Sequence, residues 1–290
     1  MTDRFWRKAT LAPTIVVYAG MALFPVLNLI AMSVHDITWA GGAAQWRFVG
    51  FAHYAHLPDD VLLRAGVVNT LLFAMGAVSV QMVLGFALAF ATTQIDRGRT
   101  FYRALFMLPI LVPGIVIGAI WKLMYNFDFG VLNQLWELLG GTAQDWLGQP
   151  ALALPAVIAV DVWHWTPFVF LLMLAGLESL PQDIYEAARS DGATAWQELV
   201  HLTLPLMLPT IAVTLIFRLI VAFKVFDEVY LLTGGGPGTA TEVLSFTIYR
   251  RFFQQDLTGP GAAMSIATLF ILALAIVLAS AVARRRAQYA

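Results

Sequence analysis

The residues able to do chemistry in this chain are few, and they stand in apolar company. Asp161 and His164, with Trp163 and Trp165 beside them, lie inside one long hydrophobic run, and Arg218 lies inside another. An ionisable group in hydrocarbon is costly unless it faces a cavity or a partner. Such groups could bond the hydroxyls of a polar solute, pass protons, or pair with one another. Two readings stay open for Arg218. It offers positive charge to a bound solute, or it forms a structural ion pair with Asp161. Lys224, Asp227 and Glu228 form a second group. At i, i+3 and i, i+4 they are expected to make a local salt bridge on a helix. Arg218 has no acid at such a spacing.

Other chemistries are poorly served. Cysteine is absent, which removes disulfides, thiolate catalysis and Cys-ligated metals. None of the three lysines, Lys8, Lys122 and Lys224, follows a glycine. A phosphate-binding GK[ST] loop is therefore missing, and ATP, if used, must be bound by another subunit. The histidines are scattered. His53 and His56 are three apart, but in a loop. Neither a metal site nor an enzyme is expected.

The elements that must position these groups are membrane helices. The chain of 290 residues is 60% hydrophobic and only 12% charged, against roughly 25% charged in soluble domains. Its mean hydropathy is +0.76. Six apolar runs of bilayer-crossing length are read at about 11–32, 67–92, 104–124, 151–177, 206–231 and 262–282. The first is long for a signal-peptide core and no small-x-small site follows it, so an uncleaved span is expected. The third carries Pro109, Pro113, Gly114 and Gly118. A bent or broken helix is expected there, and irregular backbone at membrane depth needs protein or a water-filled cavity around it. The loop after it holds Leu132, Leu135, Trp136 and Leu139, spaced as a short surface-lying amphipathic helix. The loop Ser33–Arg64 is polar and aromatic.

Basic residues set the orientation. Arg4, Arg7, Lys8, Arg97, Arg99, Arg103, Arg189, Arg284, Arg285 and Arg286 fall on one side, and Arg47, Arg64, Arg250 and Arg251 on the other. Ten against four puts both termini in the cytoplasm, with Asp96 in the first cytoplasmic turn. The whole chain, 1–290, is read as a single transmembrane domain.

The longest polar break, 180–205, reads as two short helices around a tight corner. Asp183 and Glu186 lie early in the first, where the helix dipole favours negative charge. Gly192 ends it, being able to take the left-handed conformation. Thr194 with Gln197 is a capping box for the second. Trp196, Leu199 and Val200 share a face of that helix, and Pro205 and Pro209 are expected to mark its far end.

Glu186-Ala187-Ala188, then Asp191-Gly192, then Leu202-Thr203-Leu204-Pro205 match the spacing of the EAA loop of binding-protein-dependent ABC importers. Tyr102-Arg103 with Leu108-Pro109 and Pro113, Trp163 to Pro167 with Leu180-Pro181, and Phe226-Asp227 with Leu231 to Pro237 extend the likeness over nearly the whole chain. The sequence resembles a permease of the maltose-transporter type, in the carbohydrate-uptake ABC family. The resemblance implies an all-α type I importer permease of six transmembrane helices with a cytoplasmic coupling helix, in a bacterial inner membrane. It implies a second homologous permease, two copies of a cytoplasmic ATPase that hold the ATP and magnesium, and an extracytoplasmic substrate-binding protein. No cofactor on this chain and no nucleic acid are implied. Coupling to the ATPase would rest on Glu186, Ala187, Ala188, Asp191, Gly192, Leu204 and Pro205. Alignment with the family points to Gly114, Asp161, His164, Trp165, Phe168 and Arg218 as lining the substrate pathway. Gly234, Gly235, Gly236 and Pro237 would face the binding protein. Arg218 and Asp161 depart from the maltose pattern, which implies a different ligand: a sugar, a sugar alcohol or an anionic sugar derivative. The competing reading is an ion-coupled secondary transporter of a small polar solute, with Asp161, His164, Arg218 and Lys224 as a proton relay. It leaves the capped cytoplasmic corner without a role.

Overall fold

In hydrocarbon every backbone N–H and C=O must be bonded within its own segment, so apolar runs of this length become helices. The computed structural model describes residues 2–95 and 97–287, with side chains described for 11–39, 41–95 and 97–274. The elements are α1 (Thr2–Ser33), β1 (His35–Ala40), β2 (Ala43–Phe48), α2 (Ala52–His56), α3 (Val61–Thr93), α4 (Arg99–Met107), α5 (Gly114–Met124), α6 (Val131–Leu138), α7 (Pro150–Glu178), α8 (Gln182–Ser190), α9 (Ala195–Gln197), α10 (Leu204–Ala222), α11 (Asp227–Leu232), α12 (Leu244–Tyr249) and α13 (Thr258–Ala287).

Four stretches are long and apolar enough to cross a membrane alone: Leu11–Ser33, Val61–Thr93, Pro150–Glu178 and Ala195–Leu232. Arg99–Leu111 and Gly114–Met124 make a fifth if the pair, bent by 92°, counts as one span. The sixth expected span falls on α13, whose side chains beyond 274 lie outside the described residues, as do Asp96 and the side chains of Arg4, Arg7, Lys8 and Arg284–Arg286.

One short two-stranded hairpin accompanies the helices. β1 and β2 pair antiparallel, with Asp36 opposite Arg47 and an ion pair of 2.7 Å between them. Gly41 and Gly42 both have positive φ, at 61° and 80°, as a two-residue hairpin turn requires. The Gly-Gly signal between two short runs was present in a stretch read as irregular loop.

The chain divides into two compact units, Met1–Arg64 with Thr247–Leu274, and Ala65–Phe246 with Ala275–Ala290. In the first, the Tyr54 hydroxyl donates to Ser33 Oγ at 2.7 Å, and Arg251 pairs with Asp60. In the second, a core of Ala89, Val169, Phe170, Met173, Leu174, Leu177 and Met207 joins α3, α7 and α10. Small residues let these helices approach closely. A Cβ on Gly85 would lie 2.6 Å from Val169 Cγ1 and 3.0 Å from the Phe170 nitrogen.

The expected break in the third span has a physical cause. Val112, the residue before Pro113, is extended (φ −87°, ψ 126°), as a following proline demands. Pro113 then caps α5, and the third span breaks there. The fifth span, expected as one helix over 206–231, is instead α10 and α11 with a break at 223–226. The break ends the helical spacing on which the Lys224 salt bridge depended. Among the described residues neither Asp227 nor Glu228 pairs with Lys224; Glu228 pairs with His164 instead. α11 packs on α5, where a Cβ on Gly114 would meet Asp227 Oδ2 at 3.0 Å and one on Gly118 would meet Leu231 Cβ at 2.7 Å.

Gly85→Val is expected to destabilise the chain by about 1–3 kcal/mol through overpacking of α3 on α7. Gly20→Ala, at a site with nothing within 4 Å, serves as control. Thermal unfolding in detergent reads both, and equal melting temperatures would refute the close-approach account.

Candidate functional site

The second unit holds a buried polar cluster built from three helices. Gln81 of α3, Asp161 of α7 and Arg218 of α10 have 0%, 2% and 0% of their surface exposed. Arg218 Nη2 donates to Asp161 Oδ2 at 2.8 Å, and its Nε donates to Gln81 Oε1 at 2.8 Å. Gln81 Nε2 closes the ring by donating to Asp161 Oδ2 at 2.8 Å and to the Asp161 carbonyl at 2.9 Å. The guanidinium also lies 4.9 Å from the centre of the Trp165 ring, at cation–π distance. Of the two readings left open, the geometry here is the Asp161–Arg218 pair, with the arginine sealed from any surface. Gln81 was missed in the sequence, although a lone amide between Val80 and Met82 in an apolar run was a visible signal.

Around this cluster the remaining predicted pathway residues separate into two sets. Trp165 and Phe168 are half-buried. Their rings meet edge to face at 6.1 Å, and Phe168 stacks on Phe217 of α10 at 4.9 Å. His164 is buried and its Nδ1 lies 3.2 Å from Glu228 Oε1. Gly114 does not join the cluster; it packs on Asp227, the residue before Glu228. The first turn of α11 thus touches α5 through Asp227 and α7 through Glu228.

The polar break 180–205 folds as a tightly capped corner. Gly192 has φ +83°. Its N–H bonds the Arg189 carbonyl at 3.1 Å, and Ala193 N–H bonds the Ala188 carbonyl at 2.9 Å, the double bond of a Schellman cap. Thr194 and Gln197 form the reciprocal capping box. Arg189 clamps Glu198 through two hydrogen bonds of 2.9 and 3.2 Å. Hydrogen bonding to Glu198, and then its charge, raises the Arg189 pKa. Tyr185 OH and Thr203 Oγ1 lie 3.0 Å apart. One expectation is corrected. Pro205 and Pro209 do not end the second helix: a π-turn at Glu198–Thr203 leads straight into α10, with Pro205 in its first turn and Pro209 inside it. A π-turn relaxes the i−4 pattern where Pro205 has no N–H to contribute. Trp196 stands 69% exposed, while Leu199 and Val200 are half-buried.

Glu186, Ala187, Asp191 and Gly192 are exposed on this corner, Ala188 and Leu204 are half-buried, and Pro205 is exposed. The glycine-rich loop after α11 is a separate, compact turn. Gly234 and Gly235 have positive φ, the Gly236–Pro237 peptide is cis, and Thr241 Oγ1 donates to the Gly236 carbonyl at 2.7 Å.

Removing one member of a buried ion pair strands the other, so Arg218→Ala and Asp161→Ala are each expected to cost about 3–5 kcal/mol, and the double variant Asp161→Leu/Arg218→Met less than either. Unfolding titrations of the three variants test this, and additive losses would count against a paired cluster.

Comparison with known proteins agrees with this geometry. Residues 68–288 match the family described as binding-protein-dependent transport system inner membrane component. The trehalose/maltose transport system permease protein MalF of Thermococcus litoralis is 38% identical over 90% of this chain and 88% of its own. A chain of a bacterial ABC transporter involved in the import of the acidic polysaccharide alginate superposes with a TM-score of 0.85 at 26% identity, covering 98% of this chain and 99% of that one. A chain of the bacterial alginate ABC transporter in complex with alginate pentasaccharide-bound periplasmic protein gives a TM-score of 0.85 at 25% identity, covering 97% of this chain and 94% of that one. The fold is that of a type I ABC importer permease, a transport component and not an enzyme. Its capped corner, its broken spans and its likeness in sequence and in structure all agree, and the chain belongs to the family of binding-protein-dependent transport system inner membrane components.

Proposed function

We propose that this chain is the permease subunit of an ATP-driven importer of a sugar, sugar alcohol or sugar derivative. It forms the translocation pathway with a second, homologous permease. Two copies of a cytoplasmic ATPase, which hold the ATP and magnesium, bind the 180–205 corner. An extracytoplasmic substrate-binding protein delivers the ligand to the opposite side, at the loop of Gly234, Gly235, Gly236 and Pro237. Both termini are cytoplasmic in this arrangement of a multi-pass inner-membrane protein.

The observation that carries the reading is the corner itself. Glu186, Ala187, Asp191 and Gly192 are exposed on a segment that carries its own caps and ion pair. Its second arm is continuous with α10, so a push on the corner moves a transmembrane helix. The sugar class draws support from the trehalose/maltose permease and the alginate importer among the similar proteins.

Within the pathway we assign ligand contact to the aromatic pair Trp165 and Phe168, whose flat faces suit sugar C–H surfaces. His164 and Gly114 complete that wall. Asp161 and Arg218 act from behind it, since Arg218 supports the Trp165 ring and has no exposed surface. The ion-coupled alternative draws no support from the cluster, whose members are engaged with one another.

A Cβ on Gly192 meets nothing within 4 Å, so the penalty of Gly192→Val is argued from its backbone conformation, about 1–3 kcal/mol for a strained φ. In proteoliposomes holding the assembled transporter it is expected to lose ATP-driven uptake while the ATPase still co-purifies. Normal uptake would sink the coupling assignment. Trp165→Ala is expected to weaken substrate affinity roughly tenfold, the scale of 1.4 kcal/mol, with ATPase binding unchanged. Unaltered affinity would remove Trp165 from the pathway.

A further inference from the structure

The two arms of the corner are attached to the membrane helices in different ways. On one side Glu198–Thr203 runs without interruption into α10. On the other, α7 ends at Glu178 and only Ser179, Leu180 and Pro181 precede α8. A cleft of about 530 Å³ separates this root from the corner, lined among others by Thr93, Arg99, Glu178, Tyr185, Arg189 and Glu198. The α7 attachment is a short non-helical link, and it is there that a cluster of charges not used by the pathway gathers.

Glu178, the last residue of α7, accepts from two arginines. Arg103 Nη2 of α4 donates to Glu178 Oε1, and Arg99 Nη1 lies 3.5 Å from the same oxygen. Arg99 also donates through Nε to the Thr92 carbonyl at 3.2 Å and through Nη2 to the Thr93 carbonyl at 2.8 Å. It therefore caps the C-terminal end of α3, where a cation is favoured by the exposed carbonyls. One carboxylate thus joins the ends of α3 and α7 to the start of α4, the first half of the broken third span. The three side chains are each 34–38% exposed. Half-solvated pairs of this kind add little to stability, so geometry is what the clasp can supply.

We infer that Glu178 is a positioning residue for coupling, held by Arg99 and Arg103 so that α8 pivots on a fixed root. The inference rests on the coupling reading of the 180–205 corner. Without the clasp, movement of the corner is taken up at Ser179–Pro181 and in the cleft, and ATP is hydrolysed without moving α4 and α7.

The test uses the assembled transporter in proteoliposomes and reads substrate taken up per ATP hydrolysed. Glu178→Ala is expected to lower that ratio about fivefold or more, the low end of coupling energies between sites, with the ATPase still co-purifying. An assembled Glu178→Ala complex with the wild-type ratio overturns the proposal. The chain lacks cysteine, so Arg103→Cys/Glu178→Cys can be bridged before assembly by a bis-methanethiosulfonate linker, each thiolate displacing a methanesulfinate to form a reducible disulfide. Recovery of the ratio with the linker and its loss on reduction support the clasp, and a ratio indifferent to reduction overturns it, even if Glu178→Ala fails to assemble. Gly192→Val run alongside separates the two readings. Uncoupling in Gly192→Val with normal coupling in Glu178→Ala overturns the clasp alone, whereas normal coupling in both overturns the coupling assignment and the clasp with it.

Discussion

A guanidinium with no exposed surface inside an apolar bundle must find its counter-charge within the bundle. The desolvation of Arg218 is offset by the charge of Asp161 on Nη2 and by the Gln81 oxygen on Nε, from two other helices, while Nη1 has no protein acceptor. The register of α3, α7 and α10 is thereby tied at one level of the membrane. A slip of one residue on any of the three would leave a buried ion uncompensated, which is more costly than lost packing. The glycines do the complementary work. Gly85 lets α3 lie against the α7 backbone, so that Gln81, four residues earlier on the same face, can reach Asp161.

The same cluster explains how a pathway wall could be stiff. Trp165 is held between a cation and the edge of Phe168, and Phe168 stacks on Phe217 of the helix that carries Arg218. An aromatic surface braced in this way presents a fixed face to a ligand at little entropic cost. α10 also continues from the cytoplasmic corner. The helix that continues from the corner is therefore the helix that braces the aromatic pair Trp165 and Phe168.

Breaks at proline and in the 223–226 segment serve that arrangement. A straight third span would carry Gly114 and Gly118 away from α11, and a straight fifth span would leave Glu228 on the spacing of Lys224 instead of opposite His164. Irregular backbone at this depth is tolerated because the two broken elements pack on each other, with glycine on one side and Asp227 and Leu231 on the other.

Much of this was legible in the residues alone. The apolar runs, the Gly192 turn and the Thr194–Gln197 box are local: their outcome depends on neighbours within a few residues, so spacing was enough. The EAA-type spacing and the LTGGGP run carried the family for the same reason. The proline break at 112–113 was legible too, because the restriction acts on the adjacent residue. What the sequence could not decide was pairing between distant elements. Arg218 could have served a ligand or Asp161, and Glu228 could have paired with Lys224 or His164. Those choices turn on which helix faces lie together and on where the fifth span breaks. Gln81, Glu178 and Glu198 looked ordinary in one dimension and became informative only when the helix ends and faces that hold their partners were brought within a few ångströms.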